Sequence, residues 1–184
     1  QKYFGENPVL KVLLLVISGC TFVMTASSAC RMVLYIKAYQ LTFLRVFVLV
    51  ALAVIALLMA GIAAKILLHG FPLFRYGVAA VCAVYLVFSF SHVDYFIASY
   101  NLSHPMTSAE NGGETVDYDY LGRLSTDAAP AIERYIREQE EGVKWEELPS
   151  WYKVYRVGHR EETKHITLRN FNLSHYIAGR LLRE

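Results

Sequence analysis

At 184 residues the chain has room for one domain or two, and 55% of it is hydrophobic. Its formal charge of +2 sums two unlike halves: residues 1–100 hold seven Lys and Arg against Glu6 and Asp94, whereas residues 101–184 hold eleven against fourteen Asp and Glu, a net of −3. Neither half offers the basic surface of a nucleic-acid binder, and the three cysteines, Cys20, Cys30 and Cys82, lack the CxxC spacing of a zinc site or the pattern of a disulfide framework.

The chain begins at Gln1 and enters a long apolar run at Val12, which is the expectation for a fragment of a longer protein. Three uncharged stretches follow: Val12–Cys30 between Lys11 and Arg31, Val46–Ala64 between Arg45 and Lys65, and Tyr76–Val93 between Arg75 and Asp94. A helix needs roughly 20 apolar residues to cross the hydrocarbon core, so these predict spans near 10–30, 45–67 and 73–96. Basic residues at their ends can extend to the headgroups. Pro8 and Gly70-Phe71-Pro72 punctuate the helices. Residues 31–45 are too polar at Arg31, Lys37 and Arg45 for lipid and too apolar for a free loop. They predict an interfacial amphipathic connector with Tyr35 and Tyr39 at headgroup level. Orientation is not set: Arg31, Lys37 and Arg45 on one side oppose Lys2, Lys11, Lys65 and Arg75 on the other.

Within the spans, Ser18, Thr21, Thr25 and Ser28 line one helix face, either bonding their own carbonyls and a neighbouring helix or lining a hydrated path. Ala56, Ala60 and Ala64, beside Gly61, repeat every fourth residue and form a helix-packing face. Tyr85, Ser89 and His92 share a face at the end of the third span. His92 and Asp94 are ionisable groups near membrane depth and hence functional candidates, but two residues apart on a helix they point away from each other.

Residues 101–116 are polar, with Pro105 and Gly112-Gly113, and read as a linker before a soluble helical domain over 117–184. There Asp117 and Asp119 are paired carboxylates suited to capping or to Arg123. Ser125 or Thr126 can cap a helix carrying the Ile132, Tyr135 and Ile136 stripe. Trp145, Leu148, Trp151, Tyr152 and Tyr155 supply a small core or a membrane contact. Asn172 caps a last helix with a Phe171–Tyr176 staple. A short extended piece is expected around 165–168. His159, His165 and His175 lack metal-ligand spacing, no glycine-rich phosphate loop or GxSxG elbow occurs, and the sequons at Asn101 and Asn172 are short motifs that arise by chance.

Three segments, Arg31–Arg45, Asp119–Ile132 and Leu168–Ser174, resemble in order and spacing the C-terminal part of the bacterial membrane family called domain of unknown function 4173, a relative of the 4153 family. Gln40 stands where that family's AYGLT-type motif has Gly. The resemblance implies a polytopic bacterial membrane protein with further spans upstream, and it brings no activity and no catalytic residue.

The expectation is therefore an all-α chain: about three transmembrane helices, an interfacial amphipathic segment and a small helical soluble domain. Its localisation is a bacterial cell membrane, multi-pass, and its partners are the lipid bilayer and other transmembrane helices, with no nucleic acid. No catalytic set, cofactor or metal site is indicated. A non-enzymatic scaffold, sensor or partner-binding component is preferred over a transporter or ion-conducting component, and that over a membrane-embedded enzyme acting on lipid or envelope substrates.

Overall fold

The computed structural model describes residues 8–68, 70–107, 114–139, 145–162 and 172–182. Three long helices come first: α1 (Pro8–Tyr39), α2 (Phe43–Leu67) and α3 (Leu73–Phe90). Their mean hydropathies are 2.2, 3.0 and 1.8, and each is long and apolar enough to cross a membrane. Their apolar side chains point outward all round, with Val9, Phe74 and Val87 more than 70% exposed. In water each Å² of such surface left uncovered forfeits about 25 cal/mol, and a helix apolar on every face belongs in lipid or a large core. Together these helices mark a membrane protein.

The helix limits differ from expectation in three places. Where a separate connector is expected over 31–45, α1 continues unbroken through Tyr39, and only residues 40–42 leave the helix. The run Arg31–Tyr39 holds good helix formers and no Gly or Pro, so nothing in it ends the ladder. The break falls at Gln40, whose φ of 63° lies in the left-handed region. Where a third span is expected over 73–96, α3 stops at Phe90 and α4 (Val93–Ser103) starts anew. His92, at φ 45°, makes this turn, and Ser91 Oγ donates to the Phe88 carbonyl at 2.8 Å, satisfying one acceptor of the helix end. Where a linker is expected over 101–116, α4 runs on to Ser103. Beyond it β1 (Met106–Thr107) pairs antiparallel with β2 (Glu114–Thr115), Met106 opposite Thr115. Two two-residue strands leave the class all-α.

The remaining elements are α5 (Tyr118–Leu121), a 3₁₀ turn at Thr126–Ala128, α6 (Ala129–Gln139), a 3₁₀ turn at Trp145–Glu147, α7 (Ser150–Glu162) and α8 (Leu173–Leu181). Ser125 Oγ caps the first 3₁₀ turn by accepting from Asp127 N, and the Asn172 side chain caps α8 by accepting from Ser174 N. The extended piece expected around 165–168, His165 and Phe171 of the staple lie outside the described residues.

The chain forms two compact units. The first is Gln1–Lys37 with Leu44–Ser91; the second is Ala38–Phe43 with His92–Glu184. In the first unit α2 and α3 meet at Gly61, which is buried against the Tyr76 ring and the Leu73 side chain. With no side chain at Gly61, the ring lies over the α2 backbone and Tyr76 Oη donates to the Leu57 carbonyl at 3.0 Å. Phe47 and Phe88 meet edge to face at 6.3 Å.

In the second unit α4 and α8 both pack on the Thr126–Ala128 turn and on α6, and α7 packs on α8. The core holds Ile97, Ala98, Leu121, Ile132, Ile136, Tyr152, Tyr155 and Leu182. Glu133 is buried among them and accepts from Tyr152 Oη at 2.6 Å. Burial, then the hydrogen bond to Glu133 and its charge, push the Tyr152 hydroxyl well above the ordinary tyrosine range. A folded-state pKa raised in this way stabilises the fold fully below the unfolded pKa, near 10. The second unit is therefore expected to lose stability as pH rises through about 10 and beyond. Tyr152→Phe should flatten that alkaline limb while lowering stability at neutral pH, because Glu133 then keeps no phenol donor. Far-ultraviolet circular dichroism against pH in detergent measures both.

Candidate functional site

Of the residues singled out by sequence, His92, Asp94 and Asp117 fall at two places in the second unit. The first surrounds the start of α4. His92 is its N-cap residue, and Asp94 sits in its first turn. The two do not pair with each other. Asp94 Oδ2 accepts from the Ser125 N–H at 3.1 Å, while His92 Nδ1 lies 3.5 Å from Asp127 Oδ2 and 3.5 Å from Ser174 Oγ. The His92 side chain is 54% exposed, so its attraction to Asp127 acts through water and is weak.

Ser125 is held from both ends, since Tyr155 Oη donates to its carbonyl at 2.9 Å. His159, from the same face of α7, places Nε2 2.9 Å from the neighbouring Leu124 carbonyl. The chemistry of this cluster is therefore mostly main-chain bonding. Asp94 serves as an acceptor that orients a loop, and Tyr155 and His159 tie α7 to that loop. A half-exposed imidazole beside a carboxylate can pass a proton, but the neighbouring Ser174 hydroxyl and Asp127 both face the same Nδ1 atom at 3.5 Å, so the three do not form a relay through the two ring nitrogens.

The second place is a polar clasp on the turn between α1 and α2. Asn101, 1% exposed near the end of α4, bonds Leu41 twice: its Oδ1 accepts from Leu41 N at 2.7 Å and its Nδ2 donates to Leu41 O at 2.8 Å. Gln40, 3% exposed, donates from Nε2 to the Asn101 carbonyl at 3.4 Å and accepts on Oε1 from Asp117 N at 3.2 Å. Tyr120 Oη accepts from Phe43 N at 2.8 Å, satisfying a donor at the start of α2. Asp117 caps α5 through Oδ1 to Tyr120 N at 2.9 Å.

Sequence reasoning singles out only Asp117 from this clasp. Asn101 is first seen as the start of a linker and as part of a sequon, yet its amide is buried and doubly bonded, so it is no glycosylation acceptor in this fold. The one signal for Gln40 is the glycine of the AYGLT-type motif, because the left-handed φ is the conformation glycine adopts at least cost. Asp119 and Arg123 are both exposed on the surface near α5.

In α1, Thr21 Oγ1 donates to Ile17 O at 2.9 Å and Thr25 Oγ1 to Thr21 O at 2.8 Å, so these hydroxyls bond back to their own helix. Of the alanine face, Ala60 is exposed and Ala56 and Ala64 are half-buried, while the buried small residue is Gly61 beside them. Among the described residues no group of three His, Cys, Asp or Glu side chains is placed to hold a metal ion.

Comparison with known proteins gives a family. The family model described as "Domain of unknown function (DUF4153)" matches residues 2–135, which take in α1 to α5 and the first part of α6. No curated protein and no solved structure matches the chain. Covering well over half of the 184 residues, the match shows that this chain belongs to the DUF4153 family.

Proposed function

We propose that the chain is a three-crossing, multi-pass component of a bacterial cell membrane that acts by binding a partner and not by catalysis. The clasp supports the pairing of the second and third crossings. Leu41 follows the first apolar helix and Asn101 follows the third, and they share two hydrogen bonds across 60 residues of chain. Three crossings bring both segments out on one side of a bilayer. Only α2 and α3 lie between the two segments, so one of that pair crossing without the other would leave them on opposite sides, with no means of bonding.

The non-catalytic reading is supported by how the candidate side chains are used. Asp94 and Asp117 accept from main-chain N–H groups, and the threonine hydroxyls of α1 bond their own helix. Ala56, Ala60 and Ala64 supply a close-approach surface for another transmembrane helix. Within its family group, the Arg31–Arg45 and Asp119–Ile132 segments favour a place near the related 4173 family.

The test is a photo-crosslinking residue at Ala60 of the full chain in native membranes. A discrete protein adduct that disappears with Ala56→Leu and Ala64→Leu supports a partner helix. Adducts to lipid alone, or loss of cellular function on alanine substitution of His92 or Asp119 at unchanged protein level, would overturn the reading.

A further inference from the structure

Two helices of the second unit, α4 and α6, pack against each other and leave a groove along one side that encloses about 320 Å³. That volume lies at the lower end of small-molecule sites, about 300–1,000 Å³. On α4 the groove takes Tyr95, Ser99 and Ser103, spaced i, i+4, i+8 along one helix face, and on α6 it takes Arg134, Tyr135 and Glu138. Small residues stand deep in it and large ones at its rim: Ala131 is buried and Ser99 half-buried, whereas Tyr95, Arg134 and Glu138 are exposed. Packed helices normally close such a gap with side chains. Here an alanine and a serine stand where the filling would be.

The lining restricts what can enter. Arg134 Nε donates to Glu138 Oε1 at 2.8 Å, so the two charges that border the groove offset each other. An anion gains nothing net from such a pair, and a hydrocarbon would strand the phenol, hydroxyl and charged groups. A sugar hydroxyl, by contrast, is donor and acceptor at once. The pair offers both side by side, guanidinium N–H groups next to a carboxylate oxygen, and bonds to charged groups are the stronger kind. Ser103 Oγ donates to the Ser99 carbonyl at 2.6 Å and keeps lone pairs for a ligand O–H. Tyr95 from one helix and Tyr135 from the other add two rings that are apolar on their faces and polar at the hydroxyl. A pyranose ring has the matching character, apolar on its C–H faces and polar around its edge.

We propose that the groove between α4 and α6 binds a neutral saccharide of one or two rings, its faces against Tyr95 and Tyr135 and its hydroxyls on Arg134, Glu138 and Ser103. The site lies within the second unit and is independent of the helix-binding face at Ala60.

The full chain is reconstituted in lipid nanodiscs, free of sugar-based detergent, and saturation-transfer NMR is recorded with cellobiose, maltose and N,N′-diacetylchitobiose. Transfer to the ring protons of at least one disaccharide is the expected result. Arg134→Gln and Glu138→Gln should each weaken that binding about tenfold, the worth of a hydrogen bond to a charged group. Ser99→Trp, which fills the groove, should abolish it. Both glutamine changes fall on exposed side chains outside the core, so they decide the matter should the tryptophan variant fail to fold. No transfer to any of the three sugars overturns the proposal. Transfer that survives all of these substitutions places the sugar elsewhere and overturns it too. So does glucose 6-phosphate binding severalfold tighter than glucose, the mark of an anion site at Arg134, or adenosine binding severalfold tighter than every disaccharide, the mark of a nucleoside site.

Discussion

Asn101→Leu is expected to destabilise the second unit by about 3 kcal/mol, the combined cost of leaving two main-chain groups of Leu41 without a partner at about 1–3 kcal/mol each. Leucine keeps the branching and heavy-atom count of asparagine, so no cavity is left, and any crowding from its bulkier methyls adds to the loss. Asn101 is 1% exposed and both its amide atoms are engaged, which leaves little room for water to replace them. The effect should be local before it is global. Hydrogen exchange at the Leu41 and Phe43 amides is expected to quicken at denaturant concentrations where α6 remains protected. An unchanged melting temperature in detergent together with unchanged exchange at Leu41 would show that the clasp contributes nothing. Gln40 belongs to the same network, so Asn101→Leu and Gln40→Ala should be strongly non-additive.

Gly61→Val should have the second large effect, on the first unit alone. A Cβ at position 61 would overlap the Tyr76 ring, with Tyr76 Cδ1 only 2.5 Å away. The ring is a stiff neighbour, so it must leave, and with it goes the Tyr76–Leu57 hydrogen bond. Overpacking of this kind costs about 1–3 kcal/mol, and in lipid the lost polar contact has no water to compensate it. Unfolding in mixed detergent micelles should show the loss. Adding Tyr76→Ala to Gly61→Val should recover part of it, because the colliding ring is gone. A double variant no better than Gly61→Val would place the clash elsewhere.

The legible parts of this chain were those with a strong solvent signal. Uncharged runs bounded by Lys11, Arg31, Arg45, Lys65 and Arg75 locate the three apolar helices, because lipid selects composition over many residues at once. The Asn172 and Ser125 caps were legible too, since capping is a short-range bond between neighbours in sequence.

The breaks were less so. Ser91 and His92 carry no glycine or proline, and the kink between α3 and α4 depends on His92 adopting a left-handed φ that its bonds elsewhere in the fold make tolerable. The clasp was hidden for the same reason. Its members lie about 60 to 77 residues apart in sequence, and nothing in the neighbourhood of Asn101 or Tyr120 announces a partner at Leu41 or Phe43. Asp117 and Asp119 read from sequence as capping residues or partners of Arg123, and Asp117 holds the start of α5.

The family match stops at residue 135, in the middle of α6, while the second unit runs on through α7 and α8. Ile136, Tyr152, Tyr155 and Leu182 are buried in the same core as Ile97 and Leu121, and the Leu124 and Ser125 carbonyls reach their side-chain partners only on α7. A segment trimmed to the matched residues would thus strand half of an apolar interior and two acceptors in water. The piece that can be recognised by pattern is shorter than the packed interior it belongs to, and an expression boundary drawn at residue 135 would cut through that interior.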